Sequence, residues 1–244
     1  MKDLTDTNIY YINLDKRVDR KKLFESQEAI ATMPPMQRIS AVHGLSIDVK
    51  KDPRIGVKTK VHVLTEYRRS HYEIHSRGAL GASFSHLKVW TEFLKSGEKY
   101  ALVLEDDVNL PATFSMMVHD TAKELPPNWD IWIVGWNFTP VFKDPKEKGH
   151  IRSVIKFLGA HCYILSRKAA KILMENATPI ETHVEHYINN MAFLHKLNIV
   201  CNTRLNISQH DYEKVVSDVR KVGGCVACKV DDQEDAANAI RNNS

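Results

Sequence analysis

Apolar and polar positions along this chain switch repeatedly between a period of two and a period near 3.6. The switching predicts strands and helices in succession. The first apolar run, Ile9-Tyr-Tyr-Ile-Asn-Leu14, reads as a strand, and strand alternation sends Tyr10 and Tyr11 to opposite sides. Residues 19–32 place Leu23, Phe24 and Ile30 at helix-compatible positions, and Pro34 and Pro35 end that helix, completing a β-α unit. A second strand is expected over residues 38–42. The polar stretch that follows, with Lys50, Lys51, Asp52, Pro53 and Arg54, reads as a mobile surface loop to about Arg77, long enough to act as a lid.

From Gly78 a longer helix is expected. Leu80, Phe84, Leu87 and Leu94 follow helical spacing, with Ser83, His86 and Trp90 on a neighbouring stripe. Residues 100–104 form the next strand, residues 111–123 a helix opened by Pro111, and residues 129–134 another strand. Residues 159–166 read as a strand, and Ser166 is a natural N-cap for a helix over residues 167–176. Val184, Tyr187, Ile188, Met191 and Leu194 mark a further helix that leaves His183, His186 and Asn190 on another side. The alternation indicates an α/β fold. No internal repeat is present; residues 1–230 read as one domain and residues 231–244 as a polar, loosely held tail.

A length of 244 residues suits one large domain with a full core. The 34 Lys and Arg against 30 Asp and Glu give a formal charge of +4, too small and dispersed for a nucleic-acid partner. No apolar stretch approaches the ~18 to 20 residues of a membrane helix, and the first residues lack a signal peptide's apolar segment, so a soluble, cytoplasmic protein is expected. Of the four cysteines, Cys162, Cys201, Cys225 and Cys228, only the last two have ligand-like spacing. One CxxC without a second pair favours reduced thiols over zinc.

The segment Tyr100-Ala-Leu-Val-Leu-Glu-Asp-Asp-Val-Asn-Leu110 changes the picture most, because an apolar strand ends in three adjacent carboxylates, Glu105, Asp106 and Asp107. Ligands of open α/β sheets bind beyond the carboxyl ends of strands. Closely packed carboxylates repel unless neutralised, which favours a hard divalent ion such as Mn²⁺ or Mg²⁺ holding a diphosphate. A solvated acidic turn explains the run equally well. After the first strand, Asn13-Leu-Asp-Lys-Arg-Val-Asp-Arg20 supplies amide, carboxylate and guanidinium groups: Arg17 and Arg20 suit phosphates, and Asp15 suits a ribose or base. The alternative is a charged helix start. Neither GxGxxG nor GxxxxGK[ST] occurs, which disfavours dinucleotide oxidoreductases and P-loop enzymes. His183 and His186 have i, i+3 spacing without a third ligand and read as a polar helix face. Trp136 and Asn137 follow a strand, where an indole stacks on a sugar or simply packs.

Four segments, in order, resemble glycosyltransferase family 25: Tyr11-Ile-Asn-Leu-Asp-Lys-Arg-Val-Asp-Arg20, Gly78-Ala-Leu-Gly-Ala-Ser-Phe-Ser-His-Leu-Lys-Val-Trp90, Leu102-Val-Leu-Glu-Asp-Asp-Val108 and Gly159-Ala-His-Cys-Tyr-Ile-Leu-Ser166. The family includes lipopolysaccharide and collagen galactosyltransferases. The resemblance implies a GT-A-type, Rossmann-like nucleotide-sugar-binding fold with a mixed sheet flanked by helices. It also implies inverting transfer of a hexose, galactose by preference, from a UDP-sugar to a hydroxyl of a carbohydrate or hydroxylysine-type acceptor.

On that resemblance Glu105, Asp106 and Asp107 form a DxD-like element, with Asp107 the leading ligand for Mn²⁺ or Mg²⁺ and Glu105 near the ribose or metal water. Asn13, Asp15, Arg17, Arg20, Ser85, His86, Glu105 and Asp106 face the nucleotide sugar, and His210 is a further metal ligand. Pro179-Ile-Glu181 stands where the family usually carries Asp, making Glu181 the first candidate base and Glu185 the second. Two other readings stay open: a nucleotidyltransferase or sugar-nucleotide hydrolase, which needs no glycosyl acceptor, and a nucleotide-sugar-binding protein whose base has been lost.

Overall fold

A computed structural model describes residues 4–210. In chain order its elements are strand β1 (Thr7–Asn13), helices α1 (Val18–Glu25) and α2 (Glu28–Thr32), strand β2 (Met36–Ser40), helices α3 (Val57–Thr65) and α4 (Arg77–Ser96), and strands β3 (Tyr100–Glu105) and β4 (Val108–Asn109). Helix α5 (Phe114–Glu124) follows, then strands β5 (Ile131–Ile133), β6 (Phe138–Phe142), β7 (Ile151–Leu158) and β8 (Cys162–Ser166), helices α6 (Arg167–Glu175) and α7 (Val184–His195), and strands β9 (Ile199–Asn202) and β10 (Ser208–Gln209). Among these residues no helix is long and apolar enough to cross a membrane.

Eight strands form one mixed sheet in the order β2-β1-β3-β8-β5-β9-β7-β6. The β2, β1 and β3 strands are parallel, β8 runs against both β3 and β5, and β5 and β9 are parallel. The apolar runs are continuous because both sheet faces are covered. Tyr10, Ile12, Ala101, Val103, Tyr163 and Leu165 join a core with α4, α6 and α7 residues. Their neighbours Ile9, Tyr11, Leu102, Leu104, Cys162 and Ile164 join a second core with Phe24, Phe114 and Val118. A mixed α/β sheet between two helical layers results, and Tyr10 and Tyr11 do face opposite sides.

The single helix expected over residues 19–32 is two, α1 and α2. Between them the Gln27 amide donates to Val108 O at 3.0 Å and accepts from Leu110 N at 2.7 Å, tying this corner to β4. The second strand lies at Met36–Ser40 rather than residues 38–42, in register with Ile9–Asn13. The hairpin of β6 and β7 had no counterpart in the periodicity. Ser166 caps α6 as expected, accepting from Ala169 N at 3.2 Å.

The mobile loop expected up to Arg77 is the largest correction. The segment contains α3, and it buries Ile47, Val49, Ile55, Val63 and Ile74 against Leu80, Phe84 and Ile180 in a third core. Bridges from Ile55 to Ile180 and from Glu73 to Thr182 fasten it to the chain before α7. Sparse apolar residues were enough, because each reaches the same cluster. The tail and the Cys225/Cys228 pair lie outside the described residues; Cys162 and Cys201 are buried free thiols, as expected of reduced cysteines. Replacing Ile74, which is fully buried, with Ala is expected to lower unfolding stability by about 2–5 kcal/mol in urea titrations; a mobile loop would show almost no change.

Candidate active site

The three carboxylates sit at the end of β3, and their burial defines the site. Asp106 and Asp107 are 6% and 7% exposed, and the Glu105 side chain keeps 28%. Buried adjacent anions need partners. Arg20, itself buried on α1, serves two of them: its Nη2 contacts Asp106 Oδ1 and lies 2.8 Å from Asp107 Oδ2. Asn13, at the end of β1, donates from Nδ2 to Asp106 Oδ2 at 2.6 Å, and Gln209 donates from Nε2 to Asp107 Oδ1 at 3.1 Å. The His210 N–H donates to the Asp107 carbonyl at 2.7 Å beside the β10–β4 pairing, so the last described strand closes under the cluster.

One guanidinium does not neutralise two desolvated carboxylates. Burial pushes Asp106 up to about 6 although Arg20 and Asn13 oppose it, and burial followed by the charge of Glu105 raises Asp107. Glu105 moves the other way. Burial works to raise it, but the His86 hydrogen bond and the charges of His86, His161 and Arg20 prevail, holding it below the usual carboxylate value.

His86 is the middle of a buried chain of hydrogen bonds. Trp90 Nε1 donates to the Tyr163 hydroxyl at 2.9 Å; the hydroxyl lies 2.9 Å from His86 Nδ1, and His86 Nε2 lies 3.2 Å from Glu105 Oε1. Indole only donates and an ionised carboxylate only accepts. Nε2–H therefore donates to Glu105 whichever charge the ring carries, and the Tyr163 hydroxyl, which accepts from Trp90, shares a second hydrogen bond with Nδ1.

A cleft of about 380 Å³ opens beside the cluster, within the range of small-molecule sites. Asn13, Arg17, Arg20, His86, Glu105 and Asp106 line one part of it, and the turn after β2 and the first turn of α4 complete it. That second wall depends on bare backbone. A Cβ at Gly81 would stand 2.5 Å from Val42 O, and one at Gly44 would stand 1.9 Å from Arg77 O. Ser85 locks the contact, accepting from Val42 N at 2.8 Å and donating to Gly81 O at 2.7 Å, and it also faces the cleft.

The other expected residues are placed less uniformly. Asp15 lies outside the cleft lining, with its carboxylate on Arg38 at 2.5 Å and Ser40 at 2.8 Å. Arg17 lines the cleft while bonding Asp19 at 2.8 Å. Asp107 and His210 lie outside the lining, and His210 Nε2 is buried with no hydrogen-bond partner. Among the described residues no three His, Cys, Asp or Glu side chains gather closely enough to enclose a metal ion by themselves, so Glu105, Asp107 and His210 are not a ready-made triad.

Glu181 is exposed and, like Glu185, lies outside the cleft lining; its side chain packs where a Cβ on Gly56 would meet its Cγ at 2.7 Å. Glu185 is half-buried in the first turn of α7; burial and the charge of Glu105 raise its carboxyl, so it shares an electrostatic environment with the cluster. Trp136 packs partly against the core, and its backbone N–H donates to Asn206 Oδ1 at 2.8 Å. Sequence reasoning missed Gln209, Tyr163 and Arg77; the first adjoins His210 and the other two fall within or beside quoted motifs, but their partners are far along the chain.

Fold and site together define an α/β protein with a polar cleft at the carboxyl ends of parallel strands. Residues 6–188 match the model of glycosyltransferase family 25 (LPS biosynthesis protein), and the chain belongs to that family. It is 24% identical over 208 residues to procollagen galactosyltransferase 1 of Danio rerio, covering 73% of this chain and 33% of that protein. It is 24% identical over 182 residues to procollagen galactosyltransferase 1-A of Xenopus laevis, covering 70% and 28%. The chain thus spans about a third of the length of these curated relatives. Among solved structures it overlaps UDP-glucose pyrophosphorylase complexed with UDP-glucose at 9% identity and TM-score 0.44, over 84% of this chain and 92% of that one. It overlaps A197 from STIV at 10% identity and TM-score 0.43, over 89% and 98%. Overlaps this loose do not bear on activity.

Arg20→Ala is expected to destabilise the fold by roughly 3–5 kcal/mol at pH 7.5, because it strands two buried carboxylates. Both carboxyls already have folded values above their unfolded ones, and losing Arg20 raises them further. The unfolded chain is the same in both proteins, so the penalty is full above the variant's folded values, shrinks as pH falls between these and the wild type's, and its electrostatic part is gone below the wild type's. Urea titrations should therefore show the deficit shrinking from pH 7.5 to pH 5.

Proposed function

We propose that this chain is an inverting glycosyltransferase of the GT-A type that uses a divalent cation and moves a hexose, galactose by preference, from a UDP-sugar to a hydroxyl of a glycan or hydroxylated acceptor. The observation that carries the reading is the cleft at the β1 and β3 ends, where Arg17 and Arg20 face Glu105 and Asp106. Cations for a diphosphate and carboxylates for a metal share one wall. Family membership and the galactosyltransferase relatives support the reaction class and the donor sugar.

The donor set fits Mn²⁺ or Mg²⁺. Magnesium-like ions are commonly held by one or two carboxylates together with substrate phosphates rather than by an all-protein cage. Asp106 and Asp107 hold more charge than Arg20 cancels, as their raised carboxyls indicate, and the buried His210 Nε2 has no other partner. Asp107, with Asp106, Glu105 and His210 around it, would hold the ion. When bound, such an ion supplies Lewis-acid stabilisation of charge on the departing diphosphate.

The protein's own residues account for the remaining tasks. Arg17 and Arg20 bind and orient phosphate oxygens, with Asn13 fixing the Asp106 side of the cleft. His86, oriented by Tyr163, keeps Glu105 ionised and directed. Asp15, anchored to β2 through Arg38 and Ser40, stiffens the turn after β1 that carries Arg17. Glu185 is the better candidate for the base that takes the acceptor proton: burial and Glu105 raise its carboxyl toward the range a general base needs, whereas Glu181 faces solvent beside Gly56.

UDP release from a panel of UDP-sugars, with acceptor and with Mn²⁺, Mg²⁺ or EDTA, tests the reaction class; release that no acceptor stimulates would favour a hydrolase. Asp107→Ala is expected to weaken Mn²⁺-supported UDP binding by about 100-fold in calorimetry. Unchanged binding would remove Asp107 from the metal site. Glu185→Gln is expected to keep UDP affinity and lower turnover by about 10² to 10⁴, while Glu181→Gln stays near wild type. In the wild type, turnover should fall as pH drops and Glu185 takes up its proton; the reverse ranking of the two variants would return the base to Glu181.

A further inference from the structure

Helix α3 carries apolar residues on two faces, and the fold uses one of them. Its inner face holds Thr59 and Val63, 1% and 4% exposed, and Val63 joins the third core. On the outer face Val57, Val61 and Leu64 stay 78%, 52% and 43% exposed. At 3.6 residues per turn these three fall on one stripe, which Lys60 borders on one side and Lys58 on the other. A row of aliphatic side chains held in water on a rigidly packed helix contributes nothing to the fold that presents it.

The surroundings of the stripe are basic. Residues 45–65 carry five Lys and Arg against two Asp and no Glu, so this short segment accounts for most of the chain's formal charge of +4. Asp52 bonds Arg54 at 2.6 Å, and Asp48 accepts from the Lys51 N–H at 3.2 Å. Lys60 Nζ donates to Lys50 O at 3.0 Å, which sets the Lys50-Lys51 turn against α3. Lys58 lies 2.6 Å from Glu73 with its side chain still 66% exposed, and among the described residues no carboxylate is within ion-pair distance of Lys50, Lys51 or Lys60. Glu66, the acid at the end of α3, lines the nucleotide cleft together with Leu45, itself 71% exposed, so exposed apolar surface reaches the cleft mouth.

We propose that this face seats on an anionic phospholipid bilayer. The Val57, Val61 and Leu64 stripe enters the headgroup boundary, the lysines around it meet lipid phosphates, and the cleft mouth lies at the membrane surface. A specific protein interface buries about 800 Å² per partner and is anchored by Trp, Tyr or Arg. The stripe is three aliphatic side chains on a nine-residue helix, with no hydrogen-bonding group among them. A bilayer asks only for apolar side chains and positive charge, and both are present. The inference goes beyond the transfer reaction and depends on neither the donor nor the base.

The test is co-sedimentation of the full chain with vesicles of phosphatidylcholine, alone or with one third phosphatidylglycerol, at about 0.1 M and 0.5 M salt. Binding to the anionic vesicles is expected to be about ten-fold tighter than to the neutral ones and to weaken in the higher salt. Val61→Gln combined with Leu64→Gln, which leaves the charge unchanged, should weaken it by about ten-fold or more. Val61→Leu should strengthen it about four-fold, the worth of one added methylene, and Lys50→Gln and Lys51→Gln should each cost about five-fold. Urea midpoints of all these variants should stay near the wild type, because the substituted side chains lie outside the cores. No binding to anionic vesicles, or binding that the Val61 and Leu64 pair leaves unchanged, would overturn the proposal. So would a dimer in gel filtration that the same pair returns to monomer, because a second copy would then cover the stripe.

Discussion

The structure around this site depends on three consecutive carboxylates at the end of one central strand, two of them buried and the first partly exposed. Such a run is unfavourable wherever its charge is not met, and the partners come from distant parts of the chain: Arg20 and Asn13 from the first β-α unit, His86 from α4, Gln209 from the last described strand. Each tie fixes an element relative to β3. The order β2-β1-β3 puts Asn13 beside the cluster, and the register pairs Ile12 with Glu105 directly. The electrostatics of the site and the topology of the parallel half-sheet are thus one constraint.

That constraint also explains why the cluster is polarised. Glu105 receives His86 and stays ionised, whereas Asp106 and Asp107 divide one guanidinium and are driven toward protonation by burial. In the proposed mechanism that residual negative charge is what a divalent cation would meet. The Trp90–Tyr163–His86 chain matters for the same reason. It fixes the imidazole so that Glu105 has a donor of its own, while Asp106 and Asp107 share Arg20.

Local patterning made much of the sheet legible. β1, β3, β5 and β8 are runs whose alternate residues enter two different cores, and the helices α4, α6 and α7 carry clear stripes or caps. The acidic cluster and the arginines of the first turn were legible too, because both follow strands. What could not be read were contacts between segments far apart in sequence. Gln27 gave no sign that its amide would split a helix by bonding β4. The residues between 44 and 77 are mostly polar, and only the three-dimensional convergence of Ile47, Ile55, Ile74 and Ile180 shows that they are core. The β6–β7 hairpin lacks a clean period because one side is largely exposed.

The two glutamates before and within α7 show how a motif and a geometry can divide. Pro179-Ile-Glu181 stands where the family usually carries Asp, and on sequence grounds Glu181 leads despite that departure. Yet Glu181 is where the chain pairs with the 44–77 segment: Ile180 bridges Ile55, Ile180 O accepts from Gly56 N at 3.0 Å, and the Glu181 side chain packs on the same glycine. Those contacts spend the position on holding the third core. Glu185 stands four residues on, one helical turn into α7, facing a partly desolvated environment that already contains the charge of Glu105. Burial foremost raises the Glu185 carboxyl, which is why the proposed mechanism gives it the acceptor proton. The segment that disguised itself as a loop therefore gives Glu181 a structural role, through Gly56 and the Ile55–Ile180 bridge, and leaves Glu185 as the candidate of the proposed mechanism.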